Sequence, residues 1–240
     1  MHSSINTIEK IILALDKSNL ADIQTLVNEL SDYVGCFKVG LEAMTALGAP
    51  ILVETIHNAG GTVFLDGKFC DIPNTVGQAS KAASSLGVKL FNVHASCGMD
   101  AVKAAADQKQ KSKLLVVTVL TSMDQATVDD VFHRPIPELV LKFAQQAREA
   151  GADGVVCSPK ELALLNTDPS LKDFEKVTPG VRPTWASVTD QKRVMTPAEA
   201  IKAGATSLVI GRPITNPPAE IGDSIAAAKK IIEELDGVYA

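Results

Sequence analysis

The stretch "TVFLDGKFCDIPNT" (62–75) shows a pattern of strand, charged strand end and helix start. It begins with an apolar run, continues through the charged residues Asp66, Lys68 and Asp71, and ends at a proline-containing helix start. An apolar run without alternation is typical of a parallel strand that is covered on both faces. The stretch therefore predicts a buried strand whose carboxyl end carries charge and leads into a helix.

The same kind of apolar run recurs along the chain. Eight runs are predicted as strands: "IILALD" (11–16), "CFKVG" (36–40), "TVFLDGK" (62–68), "LFNVHA" (90–95), "LLVVTVLT" (114–121), "DGVVCS" (153–158), "KVTPGV" (176–181) and "SLVIGR" (207–212). Helical patterns occupy 19–34, 42–60, 138–152 and 221–237. Strand and helix therefore alternate, as in α/β proteins.

Two further helix starts carry capping boxes with proline at the first helical position. Ser158 pairs with Glu161, and Thr196 pairs with Glu199. Eight strand–helix units in 240 residues predict a single-domain (β/α)8 barrel, a TIM barrel, over residues 1–240. A doubly wound sheet more often has about five to seven strands and a glycine-rich first turn, and no such glycine motif is present.

Composition excludes several classes of function. The net charge is −5 and the isoelectric point is near 5.4, without a cluster of Lys and Arg, which argues against nucleic-acid binding. No window reaches the roughly 18 apolar residues of a membrane span, and the first residues lack the apolar core of a secretion signal. The four cysteines lie far apart without metal-ligand spacing, so we expect neither zinc nor disulfides, and a reducing cytoplasm.

Polar residues cluster at the predicted strand ends, where barrels of this kind carry their active sites. Asp66 and Lys68 stand two apart on one strand and so face the same side of the sheet, and Lys38 on the neighbouring strand can reach the same layer. With Asp71 from the next loop, they form an alternating string that keeps its lysines protonated. An ammonium held in this way can stabilise a developing carbanion and then protonate it.

Less specific readings of these residues remain open. One Asp-x-Lys pair at a strand end is commonly a structural ion pair. In "DIPNT", Asn74 or Thr75 can cap the next helix while Pro73 fixes the turn. His94, at the end of strand four, fits a histidine hydrogen-bonded within the barrel better than a ligand or a base.

The last two predicted strands end in an arrangement suited to an anion. "TPGVRP" and "IGRP" place Gly180, Arg182, Gly211 and Arg212 in the loops where such barrels commonly bind phosphate. Glycine allows backbone N–H groups to approach an anion, and arginine offers a bidentate fork. Gln191 lies in the aperiodic stretch 183–197, a predicted lid, and can close over the same anion. Two surface arginines after tight turns are the alternative.

These motifs resemble a known family. "DGKFCDIPNT" is similar to the D-x-K-x-x-D-I-P-N-T signature of the orotidine 5′-monophosphate decarboxylases. Further blocks follow in the order of that family, between about residues 11 and 215: "LALD", "FKVG", "NVHAS", "VTVLTSM", "TPGVRP", "DQKRVMTP" and "VIGRP".

The resemblance implies conversion of orotidine 5′-monophosphate to UMP and CO2 in pyrimidine synthesis, without a metal or an organic cofactor. It implies a catalytic tetrad of Lys38, Asp66, Lys68 and Asp71, in which Lys68 protonates C6 and Asp71 comes from the partner in a homodimer with shared active sites. The implied substrate-binding residues are Asp16 and Lys38 at the ribose, Thr75 of the partner chain, Asp66, Lys68, Asp71 and Ile72, Thr121 or Ser122 at the pyrimidine, and Arg182, Gln191, Gly211 and Arg212 at the phosphate.

Two alternatives compete with this interpretation. A related barrel decarboxylase that acts on a keto-sugar phosphate with Mg²⁺ would share D-x-K-x-x-D but not "DIPNT". A barrel that binds a phosphate ligand without turnover would keep the anion site and lose the chemistry. Intact Asp66, Lys68 and Asp71 argue against the second alternative.

Overall fold

The computed structural model describes residues 7–186 and 195–239. Eight parallel strands close into a barrel in chain order, each paired with its neighbours in sequence and β8 with β1, which confirms the predicted (β/α)8 fold. The strands are β1 Ile11–Ala14, β2 Cys36–Val39, β3 Val63–Phe69, β4 Leu90–His94, β5 Lys113–Val117, β6 Gly154–Val156, β7 Glu175–Pro179 and β8 Ser207–Ile210.

Helices surround the barrel. They are α1 Leu20–Leu30, α2 Leu41–Leu47, α3 Ala49–Asn58, α4 Pro73–Ser85, α5 Met99–Gln108, α6 Gln125–Phe132, α7 Ile136–Glu149, α8 Leu162–Leu165, α9 Pro197–Lys202, α10 Arg212–Thr215 and α11 Ser224–Tyr239. In the part of the chain that the structure describes, none of the helices has the length and apolar character needed to span a membrane. The extent of the single domain, 1–240, stays a prediction.

Several predicted boundaries are wrong for identifiable reasons. The helical pattern at 42–60 is divided into α2 and α3 at Gly48, whose φ of 81° is accessible to glycine and strained for other residues. Neither Asn74 nor Thr75 caps α4, because the helix already begins at Pro73, a residue suited to the first helical position. Both predicted capping boxes, at 158–161 and 196–199, are confirmed.

The barrel interior is filled by an apolar layer to which every strand contributes one residue. Its members are Ile12, Cys36, Phe64, Leu90, Leu115, Val156, Val177 and Val209. A larger core lies between the barrel and the helices. Since side chains two apart on a strand face the same way, the next inward layer, toward the carboxyl ends, contains Lys38, Asp66 and Asn92. The fold thus places a polar layer directly on an apolar one.

Candidate active site

A string of alternating charges crosses the mouth of the barrel. The Asp66 carboxylate lies between two ammonium groups, with Oδ2 at 3.2 Å from Lys38 Nζ and Oδ1 at 2.6 Å from Lys68 Nζ. Lys38 Nζ also lies 3.4 Å from Oδ1 of Asp16, just beyond β1. The predicted cluster of Lys38, Asp66 and Lys68 is therefore present. Within one chain it continues to Asp16 rather than to Asp71.

Asp66 is the most strongly constrained member of this string. It contacts both lysines, and its side chain is 12% exposed, close to the 11% of Lys38 and well below the 31% of Lys68 and the 62% of Asp16. Burial alone would raise the pKa of Asp66, but the charges of Lys38 and Lys68, with hydrogen bonds from Lys68 and Asn92, outweigh it and hold that pKa below its ordinary value. The site therefore retains a buried negative charge between two positive ones.

The backbone at Lys68 departs from a regular strand. Leu65 pairs with Phe91 and Phe69 pairs with Val93, so β3 advances by four residues while β4 advances by two. This register shift is a β-bulge, and Lys68 within it has a φ of 48°. Strand alternation predicts that Asp66 and Lys68 lie together, which is correct, but it does not explain how they meet. The bulge, rather than strand periodicity alone, brings Nζ of Lys68 to Asp66.

Asn92 is a site residue that sequence reasoning missed. It is fully buried on β4, accepts a hydrogen bond from the Lys68 backbone N–H at 2.7 Å, and donates one to Asp66 Oδ1 at 2.7 Å. The available signal was a lone amide within the apolar run "LFNV", two positions after an inward-facing leucine. The sequence-based prediction considers His94, at the end of the same strand, and not Asn92.

A cavity of ≈ 210 Å³ opens beside the charged string. Lys38, Asp66 and Lys68 line one side, and apolar residues including Val117, Val156 and Val209 line another. As far as the described residues define it, this lining includes Thr121 but not Ser122. Such a half-charged, half-apolar cleft suits a flat heterocycle that carries charge on one edge.

A second cavity, of ≈ 630 Å³, lies beyond the ends of β7 and β8. Arg182 and Arg212 both line it, with Trp185 on its wall. The Arg182 Nε is buried and has no hydrogen-bond partner among the residues the structure describes. Pro179 and Val209, which line the first cavity, each stand three residues before one of these arginines, so the two cavities follow one another along the same loops.

Comparison with known proteins agrees with this geometry. Residues 9–231 match the family model described as Orotidine 5'-phosphate decarboxylase / HUMPS family. The chain belongs to this family. The orotidine 5'-phosphate decarboxylase of Geobacter sulfurreducens is 48% identical over 235 residues, covering 95% of this chain and 96% of that protein. That of Trichlorobacter lovleyi is 49% identical over 234 residues, covering 94% and 95%.

A solved structure of the family supports the fold in detail. The crystal structure of orotidine 5'-phosphate decarboxylase from Lactobacillus acidophilus matches with a TM-score of 0.80 and 33% identity, over 94% of this chain and 98% of that one. The resemblance deduced from "DGKFCDIPNT" is thus confirmed at the level of the family.

The second half of this family signature lies apart from the cavity in a single chain. Asp71, Ile72 and Thr75 are all exposed, and the Asp71 carboxylate accepts a hydrogen bond from the Ile72 backbone N–H at 2.7 Å. Among the described residues, no ion pair joins Asp71 to Lys68. The fold alone therefore does not bring these three predicted site residues to the charged string.

The remaining predicted residues have these positions. Gly211 precedes α10 at the end of β8, and Gly180 adopts a φ of 76° in the turn before Arg182. Gln191 lies outside the described residues, as does most of the predicted lid. The Arg182 backbone N–H donates to Met195 O at 3.0 Å, which joins the two ends of that segment.

The structure also places His94 and the four cysteines. His94 Nδ1 lies 2.8 Å from the hydroxyl of Ser96, and burial together with the charge of Lys68 lowers the pKa of His94. Cys36 and Cys157 are buried, whereas Cys70 is exposed, and all four thiols are free. No cluster of three or more His, Cys, Asp or Glu side chains that could hold a metal ion occurs within residues 7–186 and 195–239.

Proposed function

We propose that this chain decarboxylates orotidine 5′-monophosphate to UMP and CO2. The relatives from Geobacter sulfurreducens and Trichlorobacter lovleyi carry the name of that activity. The observation that carries the proposal is the buried Asp66 carboxylate between Lys38 and Lys68, on the wall of a cavity that is otherwise largely apolar. The reaction fits the pyrimidine pathway role that the sequence implied.

The chemistry requires fixed charges. Loss of CO2 from C6 of the pyrimidine leaves a carbanion without a conjugated electron sink, so stabilisation must come from preorganised charge in a site that excludes water. Lys68 is the proposed proton donor to C6, because it is the more exposed of the two lysines that pair with Asp66 and lines the cavity. Asp66 crowds the substrate carboxylate, and that ground-state repulsion is relieved as CO2 departs.

The ribose and phosphate extend along the same cleft. Asp16, at the exposed end of the charged string, and Lys38, which pairs with it, are the proposed ligands of the ribose hydroxyls. Thr121 is favoured over Ser122 for the pyrimidine contact, since Thr121 lines the cavity.

The phosphate is assigned to the second cavity. Arg182 and Arg212 line it, and the buried Nε of Arg182 has an unused donor that a phosphate oxygen can accept from. Gly211 and Gln191 complete the proposed clamp, and the segment 183–197 closes over it. Binding energy from this remote group then helps to assemble the reacting end of the site.

A homodimer with shared sites supplies the remaining residues. Asp71, Ile72 and Thr75 are exposed within one chain although the family signature includes them, which is expected if they complete the cavity of a partner. Asp71 of one chain would then extend the Lys–Asp string of the other beyond Lys68. The cytoplasmic location stays a prediction.

The deciding test follows the ultraviolet absorbance of orotidine 5′-monophosphate after addition of the purified, EDTA-treated protein. We expect rapid loss of substrate absorbance and stoichiometric UMP and CO2. Decarboxylation of a keto-sugar phosphate only after addition of Mg²⁺ would contradict the proposal and favour the related sugar-phosphate enzymes. Tight UMP binding without release of CO2 would instead indicate a non-catalytic phosphate-binding barrel.

A further inference from the structure

Asn92 makes two hydrogen bonds, both to the reacting end of the site. Its side-chain oxygen accepts from the backbone N–H of Lys68, and its side-chain nitrogen donates to the carboxylate of Asp66. The residue is 0% exposed and does not line the cavity, so it lies behind the charged string rather than within reach of a substrate.

The first contact supports an unusual backbone. At the β3 bulge, four residues of β3 stand opposite two of β4, which interrupts the ladder at Lys68. A buried backbone N–H without a partner is costly, and Lys68 in addition has a left-handed φ of 48°. The Asn92 oxygen, 2.7 Å away, supplies the acceptor that the interrupted ladder does not. It thereby stabilises the conformation that aims Lys68.

The second contact fixes the carboxylate. Asp66 Oδ1 accepts from Lys68 Nζ at 2.6 Å and from Asn92 Nδ2 at 2.7 Å, while Oδ2 faces Lys38 at 3.2 Å. Each carboxylate oxygen thus has a defined partner, and rotation of the carboxylate breaks at least one contact. A fixed dipole and a fixed charge are what electrostatic catalysis requires.

The asparagine side chain has the groups that both contacts require. A backbone N–H can only donate and an ionised carboxylate can only accept, so the residue between them must offer one acceptor and one donor. Asparagine does so, whereas ionised aspartate lacks the donor, leucine lacks both groups and glutamine is longer by one methylene group.

We propose that Asn92 is a positioning residue for this reaction, holding the Lys68 backbone and the Asp66 carboxylate in register. The inference rests on the proposed decarboxylase function. It adds to the charged tetrad a neutral residue that touches neither substrate nor product. Its removal is expected to slow the chemical step while binding at the phosphate end stays intact.

The test compares Asn92→Ala and Asn92→Asp with the native protein. Asn92→Ala loses both contacts, whereas Asn92→Asp keeps the shape and the acceptor for Lys68 but replaces the neutral amide donor with a second carboxyl group beside Asp66. We expect kcat for orotidine 5′-monophosphate to fall about 100-fold in Asn92→Ala, because small displacements of reacting groups cost about that much. The UMP dissociation constant should stay within about threefold, since the arginines that bind phosphate are unchanged.

A pH profile separates positioning from a general loss of stability. The charged groups facing Asp66 are Lys38 and Lys68, and both remain in each variant, while Asn92→Asp adds a carboxyl group. Loss of the donor in Asn92→Ala makes the ionised carboxylate of Asp66 less favourable, and so does the second carboxyl group in Asn92→Asp. The acid limb of kcat/KM should therefore move to higher pH in both variants, and Asn92→Ala reports the loss of the donor alone.

The matched control is Ser112→Ala. The hydroxyl of Ser112, which is also a buried polar side chain, donates a hydrogen bond to Val88 O at 2.6 Å. Val88 precedes β4 and Ser112 precedes β5, at the end of the barrel away from the site. It should lower the unfolding midpoint without moving the acid limb.

The possible outcomes are distinct. Folded Asn92→Ala and Asn92→Asp proteins with native kcat and native pH profiles would overturn the positioning role while leaving the decarboxylase function standing. A fall in activity that matches only the loss of folded protein, with an unmoved acid limb in Asn92→Ala, would do the same. Native protein that does not decarboxylate orotidine 5′-monophosphate would overturn both proposals together.

Discussion

The two halves of the stretch 66–75 differ in burial and in the contacts they make. Asp66 and Lys68 are held within the chain by ion pairs and by Asn92, at the mouth of the barrel. Asp71 to Thr75 are exposed on the surface, with Asp71 hydrogen-bonded to the neighbouring backbone. The first half is explained by the fold of one chain. The second half is explained by the proposed partner, so changes in the two halves should behave differently.

The largest effect is expected from Lys68→Ala, which breaks the buried half. Loss of the proton donor and of a charge beside the developing carbanion should lower kcat by about 10⁴-fold or more. UMP binding should persist, because Arg182 and Arg212 are untouched. Steady-state rates and calorimetric UMP titration measure the two quantities.

A matched control for this variant is Lys109→Ala. Lys109 is also partly buried and forms an ion pair with Asp153 at 2.8 Å, away from the cavities. Its loss should leave kcat within about twofold of the native value. Near-native turnover in Lys68→Ala would exclude the proton-donor role.

The exposed half is tested by Asp71→Ala, for which we expect a fall in kcat of about 10²- to 10³-fold. Mixing Asp71→Ala chains with Lys68→Ala chains should regenerate activity, because one site of each mixed dimer then contains both native residues. Random mixing in a two-fold dimer gives up to about one quarter of native activity per chain. Inactivity of mixed dimers whose formation has been verified would contradict shared sites.

A smaller effect is expected from Ile72→Ser. Ile72 is 66% exposed in the single chain, and the proposed partner would cover it. We expect the dimer dissociation constant to rise about tenfold, which corresponds to about 1.4 kcal/mol. Sedimentation velocity over a dilution series measures it. Val131→Ser, at a residue 56% exposed on α6, is the control, and an equal effect of both variants would remove the argument for Ile72.

The smallest effect concerns stability and pH. Because the folded-state pKa of Asp66 is below its ordinary value of 3.8, its contribution to the free energy of unfolding is present above pH 3.8 and is lost as the pH falls through the folded-state pKa. The difference in unfolding free energy between native protein and Asp66→Asn should therefore shrink on acidification. Urea unfolding at fixed protein concentration between about pH 3 and 7 measures this difference. A constant difference would contradict it.

Much of the fold could be predicted from the sequence because the strands are continuous apolar runs, a strong and local signal. Their ends could not be placed as well. The predicted strand 114–121 ends at Val117 in the structure. Val119 and Leu120 are apolar as well, but they line the cavity instead of pairing with a neighbouring strand. Hydrophobicity reports burial, and it does not distinguish a strand from the wall of a cleft.

The site was predictable to the extent that charge on an apolar strand end is rare. Lys38, Asp66 and Lys68 were found in this way, since a buried charge must be paired. Asn92 carries no charge, and its importance depends on a register shift between β3 and β4 that no local pattern encodes. The proposed role of Asp71 depends on the proposed partner chain, for which the resemblance to the family was the guide.

The apolar layer inside the barrel determines by which side ligands can enter and leave the site. Because this layer fills the barrel beneath Asp66 and Lys68, the site has the form of a cup whose rim is formed by the loops after the strands. Substrate arrives over that rim, and UMP and CO2 depart over it. Release of product and entry of substrate therefore share one route, and UMP held at the proposed phosphate site would obstruct the next substrate molecule.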